Sequence, residues 1–119
     1  MTPQQLLEYT RSKPGAWPDN PWGHEHPVVK EGRPGKIFLF IGATTAGVKA
    51  GATRETADEW LERYPDDATV MPYIGRSGWN DRAFGAAIPD DEILEAVDES
   101  YRLVVSKLAA KQRPAGWDD

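Results

Sequence analysis

The sequence predicts an α+β fold: a two-layer sandwich of one antiparallel sheet of about five strands, with helices on one face. The segment Lys36–Ile41, KIFLFI, is an apolar run of strand length, rich in aromatic and β-branched residues. Residues 57–64 and 94–108 each repeat apolar residues at helical spacing. Shorter strand patterns flank the first of these helices, so the predicted order is α-β-β-β-α-β-β-α.

Chain length and composition predict a single soluble domain over residues 1–119. No apolar run approaches the roughly 18–20 residues that span a bilayer, so we expect no membrane insertion. The N-terminal segment MTPQQLLEYT has neither the basic start nor the apolar stretch of a signal peptide. The chain also has no cysteine, which fits a reducing compartment. We therefore expect a cytoplasmic protein.

The net charge of −5 is unevenly distributed. Residues 1–60 contain seven Lys/Arg and seven Asp/Glu, whereas residues 61–119 contain seven and twelve. An acidic chain is unfavourable for nucleic-acid binding, because phosphate contacts dominate that affinity. The charge therefore favours a protein or small-ligand partner.

The N-terminal half is predicted to contain one helix and three strands. Thr2 and Pro3 are typical of a helix start, and Pro14-Gly15 ends that helix. The proline- and tryptophan-rich segment 15–27 is predicted to be an ordered loop that leads into an edge strand, Val28–Lys30. After a turn at 31–35 comes the central strand. It should place Ile37, Leu39 and Ile41 on one face and Phe38 and Phe40 on the other. A turn over Gly42–Gly47 and a returning strand, Val48–Gly51, complete a hairpin.

The C-terminal half is predicted to contain a helix, two strands and a long helix. Thr53 caps the first helix and Pro65 ends it. Thr69–Ile74 is predicted to be a strand at an edge or a bulge, because it contains proline. A turn at Gly75–Gly78 leads to the last strand, Trp79–Ile88. The long helix starts at 89–92 and ends near Lys111, and we expect residues 113–119 to form a frayed tail.

Two groups of residues have metal-ligand chemistry but also simpler explanations. His24 and His26 would share one face of an extended segment and could form half of a metal site, yet the sequence indicates no third ligand. Carboxylates at Asp90, Asp91, Glu92 and Glu95 could hold a hard cation, but charge complementarity at a helix N-terminus explains them without a bound ion. No metal site is therefore predicted.

No pattern of a catalytic site or a cofactor site emerges. The loop GATTAG at 42–47 lacks the Lys-Ser/Thr ending of a phosphate-binding loop and leads into a strand. There is no GxSxG motif and no cofactor fingerprint. We expect a protein that is not an enzyme and that has no cofactor.

Cations surround one tryptophan near the last turn. Arg76, Trp79 and Arg82 are close in sequence, and Lys49 lies on a strand. An aromatic ring among cations can stack on a base or hold an anion. The alternative is that Trp79 packs in the core while the cations are solvated.

The chain resembles the MmcQ/YjbR family of small bacterial proteins over nearly its whole length. Single motifs are short, and the resemblance depends on their order and spacing. The matching segments are SKPGAW at 12–17, PWG at 21–23, KIFLFIG at 36–42, Val48-Lys49, RYP at 63–65, Pro72, Trp79, IPDDE at 88–92 and SYRLVVSKL at 100–108. This family is similar in fold to frataxin-like and secretion-chaperone-like domains, in agreement with the predicted element order.

The resemblance implies a non-enzymatic protein of DNA-binding type with a double-wing arrangement. Applied to this chain, it implies phosphate contacts by Lys36, Lys49, Arg76 and Arg82, with Trp79 stacking or wedging. Two segments depart from the family pattern, GRSGW at 75–79 and NDRAFGAAI at 80–88. The alternative function is a protein-interaction or small-ligand module, self-association included, that uses the open face of the sheet.

Overall fold

A computed structural model describes the whole chain, residues 1–119, and has the predicted α+β architecture. No helix in it combines the length and apolarity of a membrane span. Short 3₁₀ turns occupy Gly75–Ser77 and Ala110–Gln112. The main elements, in chain order, are α1 (Pro3–Thr10), β1 (Ala16–Asp19), β2 (Val28–Glu31), β3 (Lys36–Ile41), β4 (Thr45–Lys49), α2 (Arg54–Arg63), β5 (Ala68–Val70), β6 (Trp79–Ala83) and α3 (Asp90–Ser106).

The sheet has six antiparallel strands in the order β1-β2-β3-β4-β6-β5, rather than about five. The additional strand is β1, in the segment predicted to be a loop. It pairs with β2. Strand β2 is therefore an interior strand, whereas the sequence predicted an edge strand at Val28–Lys30. Pro18 is accommodated because β1 itself lies at the edge, where a strand needs hydrogen bonds on one side only.

Several element ends differ from the predictions because turns are placed differently. The hairpin turn is shorter than expected, and β4 already begins at Thr45. Strand β5 ends at Val70, before Pro72, and β6 ends at Ala83 instead of Ile88. Helix α3 ends at Ser106, and the chain beyond it does not form a frayed tail. Instead Trp117 packs against the hydrophobic core, with the Arg113 guanidinium 5.4 Å from its ring centroid.

A β-bulge changes the predicted faces of β3. Val29 pairs with Leu39 and Lys30 with Ile37, which leaves Phe38 without a partner in β2. The strict alternation predicted for this strand is therefore wrong at Phe38. Phe38 and Leu39 are both fully buried in the core beneath the helices, whereas Phe40 lies on the open face of the sheet.

All three helices cover the same face of the sheet. Helix α3 lies across β3 and β4, α1 packs on β1 and β3, and α2 packs on β5 and β6. A serine of α3 is inserted between two strands. Ser100 Oγ accepts a hydrogen bond from Lys49 N at 2.9 Å and donates one to Phe38 O at 2.6 Å. These contacts fix the C-terminal half of α3 over the ends of β3 and β4.

Candidate functional site

Three of the five predicted contact residues line one cleft. Lys36, Lys49 and Trp79 meet where the ends of β3, β4 and β6 lie beside the last turns of α3. The cleft has a volume of about 360 Å³. Its remaining lining is Ile37, Leu103, Val104, Lys107 and Leu108. The surface is thus an apolar floor with three lysines and no acidic side chain, in a chain of net charge −5.

Lys49 is held at the wall of this cleft. It is only 8% exposed, and its Nζ donates a hydrogen bond to Ser77 O at 2.8 Å. Burial lowers the pKa of Lys49, and the nearby charge of Lys107 lowers this pKa further. Because an ammonium group has three donors, Lys49 can bind Ser77 and still donate to a ligand.

Trp79 is half-buried on the sheet. Its ring packs edge-to-face against Phe40, with 5.6 Å between centroids and an interplanar angle of 79°. It pairs with Lys49 across β4 and β6, so the two side chains lie on the same face. This packing orients the indole and leaves part of its surface at the cleft.

The loop Met71–Gly78 borders the cleft and carries exposed side chains. Arg76 is exposed there, but it is not part of the cleft lining. Tyr73 is fully exposed and has a φ of 66°, a left-handed conformation that is unfavourable for a non-glycine residue. At Gly78, φ is 96°, and a Cβ atom would lie 2.3 Å from Gly51 O. Glycine is therefore required where this loop enters β6.

Arg82 lies on the opposite face of β6 from Trp79. It is 1% exposed, and its guanidinium carbon is 3.6 Å from the centroid of the Trp60 ring. The pKa of Arg82 is lowered to about 10, mainly by burial and also by the charge of Arg63, while the charge of Glu92 partly opposes both. Arg82 is therefore not brought together with Lys36, Lys49 and Trp79.

The predicted contact residues did not include the one other charged residue of the cleft, Lys107. Its position near the basic end of the long helix was visible, but its proximity to Lys49 depends on how α3 crosses the sheet. In contrast, the separation of Trp79 from Arg82 could have been inferred. An offset of three residues in a strand places two side chains on opposite faces.

The candidate metal ligands are not assembled into a site. No group of three or more His, Asp or Glu side chains is placed to share a metal ion. The carboxylates at the start of α3 have other partners. Glu92 accepts hydrogen bonds from Arg63 at 2.8 Å and Tyr64 at 2.6 Å, and Asp90 lies 3.5 Å from the N-terminal ammonium of Met1.

A third buried charged residue, Glu31, lies at the end of β2. The residue is 2% exposed, and its Oε2 is buried without a hydrogen-bond partner in the protein. Gly15 packs against it with a φ of 74°, and a Cβ atom there would lie 2.9 Å from Glu31 Oε1. Burial raises the pKa of Glu31 above its ordinary value of 4.5.

Glu31→Gln is expected to raise the free energy of unfolding at pH 7 by about 1–2 kcal/mol, because the buried charge is removed while the shape is kept. The folded-state pKa is raised, so the native protein binds more protons than the unfolded chain between the two pKa values. Wild-type stability therefore falls as pH rises through this window. Urea titrations at several pH values should show that Glu31→Gln is no longer more stable than wild type below about pH 4.5, the ordinary pKa of a glutamate.

Glu59→Gln on the exposed face of α2 is the matched control, and we expect it to change stability by less than about 0.5 kcal/mol. A Glu31→Gln variant that is less stable at pH 7 would show that the carboxylate has a stabilising role. A difference that stays constant with pH would show that the titration of Glu31 is not its cause.

Comparison with known proteins identifies relatives of the whole domain. The family model named YjbR matches residues 11–103. A solved structure from Deinococcus radiodurans, protein DR2400 with a domain named DUF419, superposes with a TM-score of 0.82 at 18% identity, covering 94% of this chain and 85% of that one. A Pseudomonas syringae protein superposes with a TM-score of 0.68 at 17% identity, covering 87% and 98%. No match was found among curated proteins. At these identities the two structures establish the fold alone.

Proposed function

The chain belongs to the YjbR family, and from that premise we propose that it is a non-enzymatic DNA-binding module that takes one strand of DNA into the lysine-lined cleft. The observation that carries the proposal is the cleft lining: Lys36, Lys49 and Lys107 around Trp79, with no carboxylate among them. Lysines supply phosphate contacts, and an indole supplies a stacking surface for a base.

The shape of the cleft favours a single strand over a duplex. Trp79 is half-buried, so only an unpaired base can reach its ring without disrupting base pairs. The volume of about 360 Å³ lies near the lower end of the range for small-molecule pockets, which suits a base with its sugar. Tyr73 and Arg76, exposed on the adjoining loop, extend this surface toward neighbouring nucleotides.

The local charge makes this binding compatible with an acidic protein. The carboxylates at the start of α3, Asp90 to Glu92, lie at the opposite end of that helix from Lys107. Screening over about 8–10 Å at ordinary salt reduces repulsion between distant carboxylates and a strand held at the lysines. We therefore expect modest affinity with a clear dependence on salt.

The predicted alternative, a partner docked on the open sheet face, has less exposed apolar surface than the sequence suggested. Phe38, Leu39 and Ile41 are buried, and Phe40 packs on Trp79. The large apolar side chains that are exposed, Trp22, Val70 and Tyr73, lie outside β3. The interaction-module function remains the alternative that a negative DNA result would favour.

Fluorescence anisotropy with single-stranded and duplex oligonucleotides at several salt concentrations tests the proposal. We expect tighter binding of the single strand and a log–log salt slope of about −2, from about −0.7 for each of three phosphate contacts. Lys36→Glu combined with Lys107→Glu should weaken binding at least about tenfold and flatten the slope, because both exposed lysines are reversed in charge.

Lys111→Glu is the matched control, since Lys111 is exposed beyond the end of α3 and does not line the cleft. It should change affinity much less than the cleft variant. Trp79→Leu should weaken single-strand binding without changing the salt slope, because stacking is not ionic. No binding at low salt, or binding equally sensitive to Lys111→Glu and to the cleft variant, would refute the proposed site.

A further inference from the structure

A buried guanidinium without a hydrogen-bond partner lies on the helix-covered side of the sheet, away from the lysine-lined cleft. Arg82 is 1% exposed, and its Nε and Nη1 are buried with no partner in the protein. An unpaired buried charge normally destabilises the folded state. Stacking on Trp60 at 3.6 Å offsets part of this penalty but satisfies no N–H group.

Arg82 contributes to the lining of an open cleft of about 270 Å³ between α2, β6 and α3. Trp60 forms one wall, and Glu95, Glu99 and Arg102 come from α3. This volume is slightly below the usual range for drug-sized ligands. The cleft therefore suits a molecule of amino-acid size.

Most charges around this cleft are already paired within the protein. Arg102 lies 3.1 Å from Glu99, and Asp98 lies 2.5 Å from Lys13. Glu95 is exposed, and none of the seven ion pairs includes Glu95 or Arg82. The cleft is thus lined by one buried cation, Arg82, and one exposed carboxylate, Glu95, that have no ion-pair partner in the protein.

We propose that this cleft binds a small zwitterion of amino-acid type, with its carboxylate on Arg82 and its ammonium group on Glu95. A simple anion would be repelled by the unpaired carboxylate of Glu95, and a simple cation would be repelled by Arg82. A zwitterion satisfies both charges at once, and an apolar side chain would rest on Trp60. The site is independent of DNA binding, since its residues do not line the lysine cleft.

Isothermal titration calorimetry and thermal-shift assays with the standard free amino acids test this proposal on the full chain. At least one amino acid should bind and raise the melting temperature. Its amide derivative, which lacks the carboxylate, and its N-acetyl derivative, which lacks the ammonium group, should each bind about tenfold or more weakly. Absence of binding by any free amino acid, or equal binding of the capped derivatives, would overturn the proposal.

Two variants test which side chain binds the carboxylate of the amino acid and which binds its ammonium group. Arg82→Met and Glu95→Gln should each weaken binding by about tenfold or more, whereas Glu62→Gln, an exposed change on α2 outside the cleft, should leave binding unchanged. Glu95 is exposed, so its variant is expected to fold even if Arg82→Met does not. The ligand-free melting temperature of Glu95→Gln should equal that of wild type. A lowered value would indicate an internal Arg82–Glu95 ion pair and would overturn the proposal, as would wild-type binding by Glu95→Gln.

Discussion

Ser100→Ala is expected to lower the free energy of unfolding by about 2–4 kcal/mol, because two buried backbone groups lose their only side-chain partner. Ser100 is fully buried, and its hydroxyl connects Phe38 O and Lys49 N. Leu39 and Val48 are paired, so Phe38 and Lys49 are the next positions along the hairpin. The serine therefore takes the place of a direct contact between β3 and β4, and alanine cannot do so.

Urea titration measures this effect as a lower midpoint with an unchanged m-value. The matched control is Ser106→Ala on the same helix, where the exposed hydroxyl bonds only to Leu103 O one turn away. We expect that control to stay within about 0.5 kcal/mol of wild type. A Ser100→Ala variant as stable as Ser106→Ala would mean that the two strands close directly on each other when the hydroxyl is removed.

The fold could be predicted from the sequence because its main signals are local. The helical spacing of Val97 and Tyr101 and the apolar run from Ile37 to Ile41 each identify an element without knowledge of its neighbours. The bulge at Phe38 is different. It depends on the register between β2 and β3 and on the contact of Phe38 O with Ser100, which is 62 residues away in the sequence. Alternation within β3 therefore could not indicate the bulge.

The residues of the candidate site were predicted only in part. Trp79 and Lys49 are neighbours across two adjacent strands, and the resemblance to the family already singled out both. Lys107 could not be predicted as their neighbour, because the approach of α3 to the strand ends is a tertiary feature. The sequence also could not indicate that Arg82 is buried without an ion-pair partner, because this depends on the tertiary positions of Trp60 and Glu95.

Arg54→Met is expected to destabilise the protein by about 2–3 kcal/mol and also to weaken DNA binding. One guanidinium connects α2 to the loop beside the lysine-lined cleft. Its Nη1 donates to Gly75 O at 2.8 Å and Trp79 O at 3.1 Å, and its Nη2 donates to the side-chain carbonyl of buried Asn80. Each charge-assisted hydrogen bond contributes about 1.5–3 kcal/mol, but Arg54 is 24% exposed and both backbone carbonyls accept a second hydrogen bond, which reduces the sum.

The effect on binding follows from Ser77. Its carbonyl holds Lys49 at 2.8 Å, and the turn Gly75–Ser77 is fixed by Arg54 on its other side. A loosened turn no longer positions Lys49 or the exposed Arg76, so anisotropy should show weaker single-strand binding although Arg54 does not line the cleft. Arg11→Met removes an exposed pair with Glu8 and is the control, with less than about 0.5 kcal/mol expected in urea titration. If Arg54→Met were destabilised but bound DNA as wild type does, the turn would not be positioning the cleft lysine.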